Sequence, residues 1–574
     1  MGLAFGNFNE HNFTILMKEE TMLEGFVPWP QEYINRYREE GYWEDKTLAE
    51  KLEEIIDEVP DKEALVCEGT RVTFREMKAK INRLAVHFAK LGFKTGDRVV
   101  FQMHSHENFV YTFFGLVKIG VIPIMSLPPH RNAEISYFMK HSDAVGYAIP
   151  SELRRFSYVG LAEQMKKEVP QLKFILVSGS PVGPGMFSID ELLATPIEDS
   201  VPPDYLKQFR PDPLDVALIH LSGGTTALPK LIPRTHNDYI YNAKQSAAYA
   251  GVDSNSVYLA VLPLAHNYTL GSFGMIGTWF HKGKVVISPN TDAASVFSLV
   301  EKEKASIIAA AVPLVVLWLN SDEVSKYDIS SLKIIQNGGA RLAPELRKGI
   351  RDKFKCAPQE VYGTAEGLLN YTRLDDPEEM IMTSSGRPVS PADEVKVIDE
   401  NGATLPLGVR GELAVRGPYT IRGYYRAPEH NKTAWTADGF YRLGDLVTMN
   451  KEGFIFTEGR IKDVINRGGE KINVEEVENM ILAFPKVKNV AIVAMPDLMF
   501  VEKACAYVIP KDGETITFKE LIDFLLSNNI AKFKLPERLE VVSEFPLSPA
   551  GKILKRNLRE DIVKKLEQEK QNKA

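Results

Sequence analysis

The chain has 574 residues, 44% hydrophobic and 25% charged, with a formal net charge of −7, a globular composition too long for one core that predicts two or more domains. With a sequence pI near 6.0 and basic residues spread along the chain, nucleic acid is excluded as the main partner, because phosphate binding needs a concentrated basic face. The longest apolar run, residues 307–319, is broken by Pro313 and falls short of the ~20 residues of a membrane span, so no membrane partner is expected. Taking elements in chain order, residues 1–22 read as an extension, and regular patterning begins at Leu23. Helical periodicity over 47–56, 74–91 and 108–119 alternates with short apolar strands at 64–67, 98–102 and 122–125. This βαβ rhythm, recurring to about residue 370, predicts parallel sheets covered by helices. Short strands and Gly-rich turns at 394–399, 411–416 and 453–456 predict a small β-rich unit closing the large domain. After Arg460, helices at 474–484 and 518–527 and strands at 487–495 and 504–509 predict a small α+β domain ending in a charged helical tail from Leu554. The predicted class is therefore α/β: residues 23–460 as the large domain and 461–574 as the small one.

Cys67, Cys356 and Cys505 lie far apart, make no metal-type pair and read as buried thiols of a reducing compartment. The N-terminus lacks the basic patch and apolar run of a signal peptide, and Gly2 lacks the hydroxyl residue at position 6 that myristoylation favours. A cytoplasmic location is the expectation.

Five segments carry chemistry. LSGGTTALPK at 221–230 follows an apolar strand; Gly223 and Gly224 leave backbone N–H groups open, the hydroxyls of Ser222, Thr225 and Thr226 can donate to phosphate oxygens, and Lys230 adds a cation. It is not a Walker A loop. VYGTAEG at 361–367 presents an aromatic ring at Tyr362 and a carboxylate at Glu366 suited to Mg2+. YRLGD at 441–445, followed by Glu458-Gly-Arg460, offers Asp445 to ribose hydroxyls, with Arg460 in reach of the sugar or phosphate. IKDVINRGGEK at 461–471 is a polar Gly-Gly loop between the two domains. PLSPAGK at 546–552 holds Lys552 out on a Pro/Gly turn, where a lysine by itself is usually just solvated.

In this order and spacing the five segments resemble the ANL superfamily of adenylating enzymes, from Leu23 onward. The resemblance implies an ATP- and Mg2+-dependent ligase in which residues 222–230 hold the β- and γ-phosphates. Tyr362, Gly363, Thr364 and Glu366 would supply the adenine platform, an α-phosphate contact and the metal ligand. Gly338 and Gly339, in QNGGAR at 336–341, match the segment beside adenine and the acyl pocket. Asp445 and Arg460 match the ribose contacts, and Lys552 the lysine between carboxylate and α-phosphate. Lys462 matches the hinge about which the small domain rotates between half-reactions, exchanging Lys552 for the Gly468-Gly469 loop. One departure is Ala227, where the loop commonly has Gly; a positive φ there would cost Ala about 1 kcal/mol.

LPLAHNY at 262–268 and AEGLLNYTRLD at 365–375 resemble the aryl-acid branch, the 2,3-dihydroxybenzoate and salicylate AMP ligases of siderophore assembly. In that likeness His266, Asn267, Tyr268 and Ser272 line the acid pocket, with Tyr268 and Phe273 as flat walls and Asn267 facing an ortho-hydroxyl or ortho-amino group. Asn337 replaces a small aliphatic residue and is expected as an extra polar group there; Gly271 stands where Ser is usual. The expected acid is a benzoate with a polar ortho or meta substituent. The chain shows no carrier-protein domain, so a carrier phosphopantetheine thiol is expected in trans, with coenzyme A as the rival acceptor and a non-catalytic nucleotide sensor as the reading from another class.

Overall fold

Four sheets of four or more strands organise the described residues of a computed structural model, which are 22–222, 229–467, 470–497, 499–528, 530–548 and 551–571. The expected extension at 1–22 lies outside them except for its last residue. A nine-stranded sheet runs in the order Arg387–Pro388, Gly367–Tyr371, Ala357–Thr364, Ile334–Gly338, Ile307–Ala310, Val257–Ala260, Lys284–Ile287, Glu63–Cys67, Thr70–Thr73. A seven-stranded sheet runs Leu231–Thr235, Val216–Leu221, Ile122–Met125, Arg98–Phe101, Gly146–Pro150, Phe174–Ser178, Phe187–Ser188. Central strands pair in parallel, as βαβ crossovers require, and antiparallel hairpins sit at the edges.

The helix Glu107–Lys118 is buried around nearly its whole circumference. Its Phe109, Phe113 and Leu116 join the largest core, which links both sheets through Phe101, Ala260 and Val361. Helices start where the sequence caps them: Thr47, Thr73, Thr235 and Thr517 each close a capping box with the acid three residues on. The apolar run 307–319 divides at its proline into the strand Ile307–Ala310 and the helix Val312–Leu319. No helix among the described residues is long and apolar enough to cross a membrane. Cys67, Cys356 and Cys505 are free and buried.

The β-rich unit is a four-stranded antiparallel sheet, Glu394–Ile398, Gly411–Arg416, Tyr441–Met449, Ile455–Arg460. Beyond it the chain builds a separate sheet, in which Val501–Pro510 pairs with Val487–Asp497 and with Arg538–Val541. The helices Val474–Leu482 and Phe518–Ser527 cover one face of that sheet. The tail helix Lys555–Gln571 covers the other face, burying Leu558 and Ile562 against Tyr507 and Val493. Its charges are thus the solvated side of a helix with a core-facing stripe.

Candidate active site

The site lies where the C-terminal ends of the large parallel sheet meet the β-rich unit and the small domain. Flanking residues 223–228, the Ser222 N–H donates to the Lys230 carbonyl and the Lys230 N–H to Ser222 Oγ, both at 2.9 Å. This pair pinches the base of the loop, and Lys230 Nζ lies 4.9 Å from the centre of the Tyr424 ring. Gly223, Gly224, Thr225, Thr226 and Ala227 lie outside the described residues.

Strand Ala357–Thr364 turns back at Gly363, where a β-carbon would stand 2.4 Å from the Leu368 carbonyl oxygen; only glycine fits that approach. Thr364 Oγ1 donates to the Gly367 carbonyl at 2.7 Å, fixing the turn. Glu366 Oε1 accepts the Tyr424 hydroxyl at 2.7 Å, and Tyr424 in turn meets the Tyr441 hydroxyl at 2.9 Å. Across the turn Tyr362 donates to Asp445 Oδ2 at 2.7 Å, while Arg460 Nε reaches Asp445 Oδ1 at 2.6 Å. Burial pushes the Asp445 carboxyl up and Arg460 pulls it back, so one guanidinium and one phenol hold a desolvated carboxylate in place. Tyr362, which the motifs treated apart from Asp445 and Arg460, forms one unit with them.

The second wall comes from the segment 262–273. His266 caps the short helix Asn267–Leu270: its Nδ1 accepts the Tyr268 N–H at 3.2 Å. Burial takes its pKa down to about 4, with the Lys552 charge pushing the same way, so the ring is neutral at neutral pH. Tyr268 packs face-on over Gly338, where a β-carbon would lie 2.8 Å from Cζ. The next residue, Gly339, has φ +88°, and the carbon bearing the Lys552 ammonium stands 3.4 Å from where its β-carbon would be. The small domain therefore presents Lys552 to Gly339, His266 and Asp445 together. The turn holding it is tied by Ser548, whose Oγ accepts the Lys552 N–H at 3.0 Å. Lys462 lies in the single turn Ile461–Asp463, and its side chain is outside the described residues, as are Gly468 and Gly469.

Asn337 is a correction. Its Nδ2 donates to the Ala340 carbonyl at 2.7 Å and to Glu360 Oε2 at 3.2 Å, beneath Arg347, which pairs with Glu360 at 3.2 Å. Alternation along Ile334–Gly338 puts Gly338 on the Tyr268 face and Asn337 on the opposite one. Asn267 and Ser272 do come together, Nδ2 to Oγ at 3.1 Å.

Sequence reasoning missed Tyr424 and Tyr441, although the tyrosine-rich stretch 419–425 ahead of YRLGD was a usable signal. It also missed Tyr239 and His220, which hydrogen-bond to each other behind Asn267; nothing local marks either.

A two-domain α/β chain with a hydroxyl- and glycine-rich loop, an aromatic–carboxylate–arginine clamp and a lysine delivered from the small domain is an adenylate-forming ligase. Residues 52–425 match the AMP-binding enzyme family and 476–552 the AMP-binding enzyme C-terminal domain. The chain belongs to this family of ATP-dependent, AMP-forming acid-activating enzymes within the ANL superfamily. It is 43% identical over 545 residues to the 2,3-dihydroxybenzoate-AMP ligase of Bacillus subtilis, covering 95% of this chain and 99% of that one. It is 41% identical over 543 residues to a salicylyl-CoA synthase / salicylate adenylyltransferase of a Streptomyces species, covering 94% and 98%. Among solved structures, apo MbtA of Mycobacterium smegmatis superposes with a TM-score of 0.72 at 36% identity, covering 94% of this chain and 99% of the other.

Proposed function

We propose that the chain joins an ortho-substituted benzoic acid to AMP and then passes the aroyl group to the phosphopantetheine thiol of a carrier protein. The observation that carries this reading is that Asn267 and Ser272, hydrogen-bonded to each other, offer neutral polar groups on the same segment as Tyr268, whose ring covers Gly338. The flat wall that Tyr268 makes as it covers Gly338 suits an aromatic ring lying against it, and a neutral amide nearby suits a hydroxyl or amino substituent. Relatives of nearly the same length bear names of 2,3-dihydroxybenzoate and salicylate ligases, which supports the assignment.

In the first half-reaction a carboxylate oxygen attacks the α-phosphorus of ATP, the bond to the bridging oxygen breaks, and pyrophosphate leaves. Both reactants are anionic, so the step depends on cations placed at the meeting point. Lys552 is assigned to that place, with neutral His266 beside it adding no competing charge. Asp445 takes the ribose hydroxyls, Tyr362 the purine face, and the loop 222–230 the outer phosphates. Glu366, whose other oxygen is anchored by Tyr424, offers a hard carboxylate ligand of the kind Mg2+ takes with phosphate oxygens. When bound there, the ion neutralises phosphate charge. In the second half-reaction a thiolate attacks the aroyl carbonyl and AMP leaves with the bonding pair; rotation about Lys462 admits the thiol.

Coenzyme A is a second acceptor to test, favoured by the Streptomyces relative, a salicylyl-CoA synthase / salicylate adenylyltransferase. The test supplies the chain with ATP, Mg2+ and salicylate or 2,3-dihydroxybenzoate and follows aryl-AMP by mass spectrometry. A holo aryl carrier protein or coenzyme A is then added. Aryl-AMP followed by a loaded carrier is expected; no aryl-AMP from either acid overturns the reading.

A further inference from the structure

Cys67 has no cysteine partner, but it has neighbours of another kind. It ends the strand Glu63–Cys67 of the nine-stranded sheet, against the start of the helix Glu107–Lys118. The residue is 2% exposed, and its thiol lies within hydrogen-bonding reach of the Glu107 N–H and carboxylate. One ligand atom each from Cys67, His106 and Glu107 lie within 4.8 Å of one another. A tetrahedral ion with bonds of about 2.0–2.3 Å holds its ligand atoms about 3.3–3.6 Å apart, so side-chain movements of about 1 Å close the set. His106 and Glu107 are half-buried, which leaves a way in from solvent.

A second observation points to the same place. His104 Nδ1 is buried and meets no hydrogen-bond partner among the described residues. Buried polar atoms are normally satisfied, so this nitrogen calls for one. The His104 ring centre is 5.4 Å from that of His106, close to the roughly 5.2 Å of two imidazoles on one tetrahedral ion. His106 gives up little to bind: its Nδ1 accepts the Asn108 N–H at 3.3 Å, beyond the usual limit of about 3.2 Å. Thiolate and imidazole suit a borderline-soft ion such as Zn2+, whereas Mg2+ takes oxygen. Binding sends the thiol proton to solvent, and thiolate and carboxylate together balance the charge of a divalent ion.

We propose that Cys67, His106 and Glu107, with His104 as fourth ligand, form a structural site for a zinc-class divalent cation that ties the nine-stranded sheet to the helix Glu107–Lys118. None of these residues belongs to the nucleotide clamp or to the wall 262–273, so the site is separate from the Mg2+ position assigned to Glu366.

The experiment frees the full chain of metal with a chelator and titrates it with Co2+ alone, then with Zn2+. The native chain is expected to take up Co2+ with the absorption of a thiolate-bound tetrahedral ion and to exchange it for Zn2+ with a Kd below about 1 μM. Millimolar Mg2+ leaves that absorption in place, and saturating Zn2+ raises Tm. Cys67→Ala abolishes the thiolate absorption, whereas Cys356→Ala and Cys505→Ala retain it. His106→Gln, Glu107→Gln and His104→Gln each weaken binding about tenfold or more; the first two change half-buried residues, and they decide the matter where Cys67→Ala fails to fold. No thiolate absorption in the native chain would overturn the inference. So would absorption that survives Cys67→Ala, or affinity unchanged in both His106→Gln and Glu107→Gln. Neither acid nor ATP enters these readouts, so the aryl-acid reading stands or falls separately.

Discussion

Lys552→Ala isolates the assigned catalytic charge from everything else in the site. The lysine side chain passes 3.4 Å from the β-carbon position of Gly339 and is close enough to Asp445 and His266 to bias both toward their deprotonated forms. A unit charge roughly 5 Å from the phosphoryl oxygens is worth about 3 kcal/mol at an effective dielectric near 20. Lys552 is exposed, so screening trims this to roughly 2–3 kcal/mol, equivalent to a roughly 30- to 150-fold fall in kcat. Acid-dependent ATP–pyrophosphate exchange reads that fall, and titration calorimetry reads ATP binding, which should move by less than about threefold because the clamp of Tyr362, Asp445 and Arg460 is untouched. Transfer from supplied aryl-AMP to the carrier thiol should survive, since Lys552 acts before the small domain turns. Exchange within threefold of the native rate, with ATP still bound, would refute the assignment. Absence of exchange in the native chain with ATP still bound would instead revive the non-catalytic nucleotide sensor.

Asp445→Asn removes the charge that Arg460 and Tyr362 converge on, costing about 1–3 kcal/mol of stability, at the low end because the Arg460 side chain is 44% exposed. KM for ATP should rise about tenfold or more while KM for the acid barely moves, which steady-state kinetics separates. Burial pushes the Glu475 carboxyl up to about 7 against the pull of Arg341 across the domain junction. A carboxyl raised this way favours the docked arrangement when protonated; that contribution is complete below its ordinary 4.5 and is lost as pH rises through about 7. Limited proteolysis at the turn 461–463 should therefore quicken from pH 6 to pH 8 in the native chain and stay level in Glu475→Gln.

Much of the fold was legible because its elements carry local marks. The helix Phe74–Leu91 has its capping box at one end and Gly92 in the left-handed region at the other, and periodicity fills the interval. The candidate site segments stood out because each is a Gly- or Pro-marked turn carrying polar and charged side chains. The face on which Asn337 lies was not legible. Strand Ile334–Gly338 is buried on both faces, so no polar alternation marks which side meets the ligand and which meets the helix Pro344–Phe354. Gly271 read as a lost serine, whereas its space is filled by Tyr239 from a helix more than 20 residues earlier. Such a relation is set by packing between distant segments, which a single sequence does not display. The charges of the tail helix do form its solvated side, but Leu558 and Ile562 are too few among its lysines and glutamates to mark the stripe that closes a core of the small domain.

The measurement that bears most directly on the account is acid-dependent ATP–pyrophosphate exchange with 2,3-dihydroxybenzoate, salicylate, anthranilate, 3-hydroxyanthranilate, benzoate and hexanoate side by side. The account predicts Mg2+-dependent exchange led by the acids with an ortho-hydroxyl and none above background with hexanoate. Exchange led by hexanoate or unsubstituted benzoate would contradict it, leaving an adenylating enzyme whose pocket is not built for a hydroxylated ring.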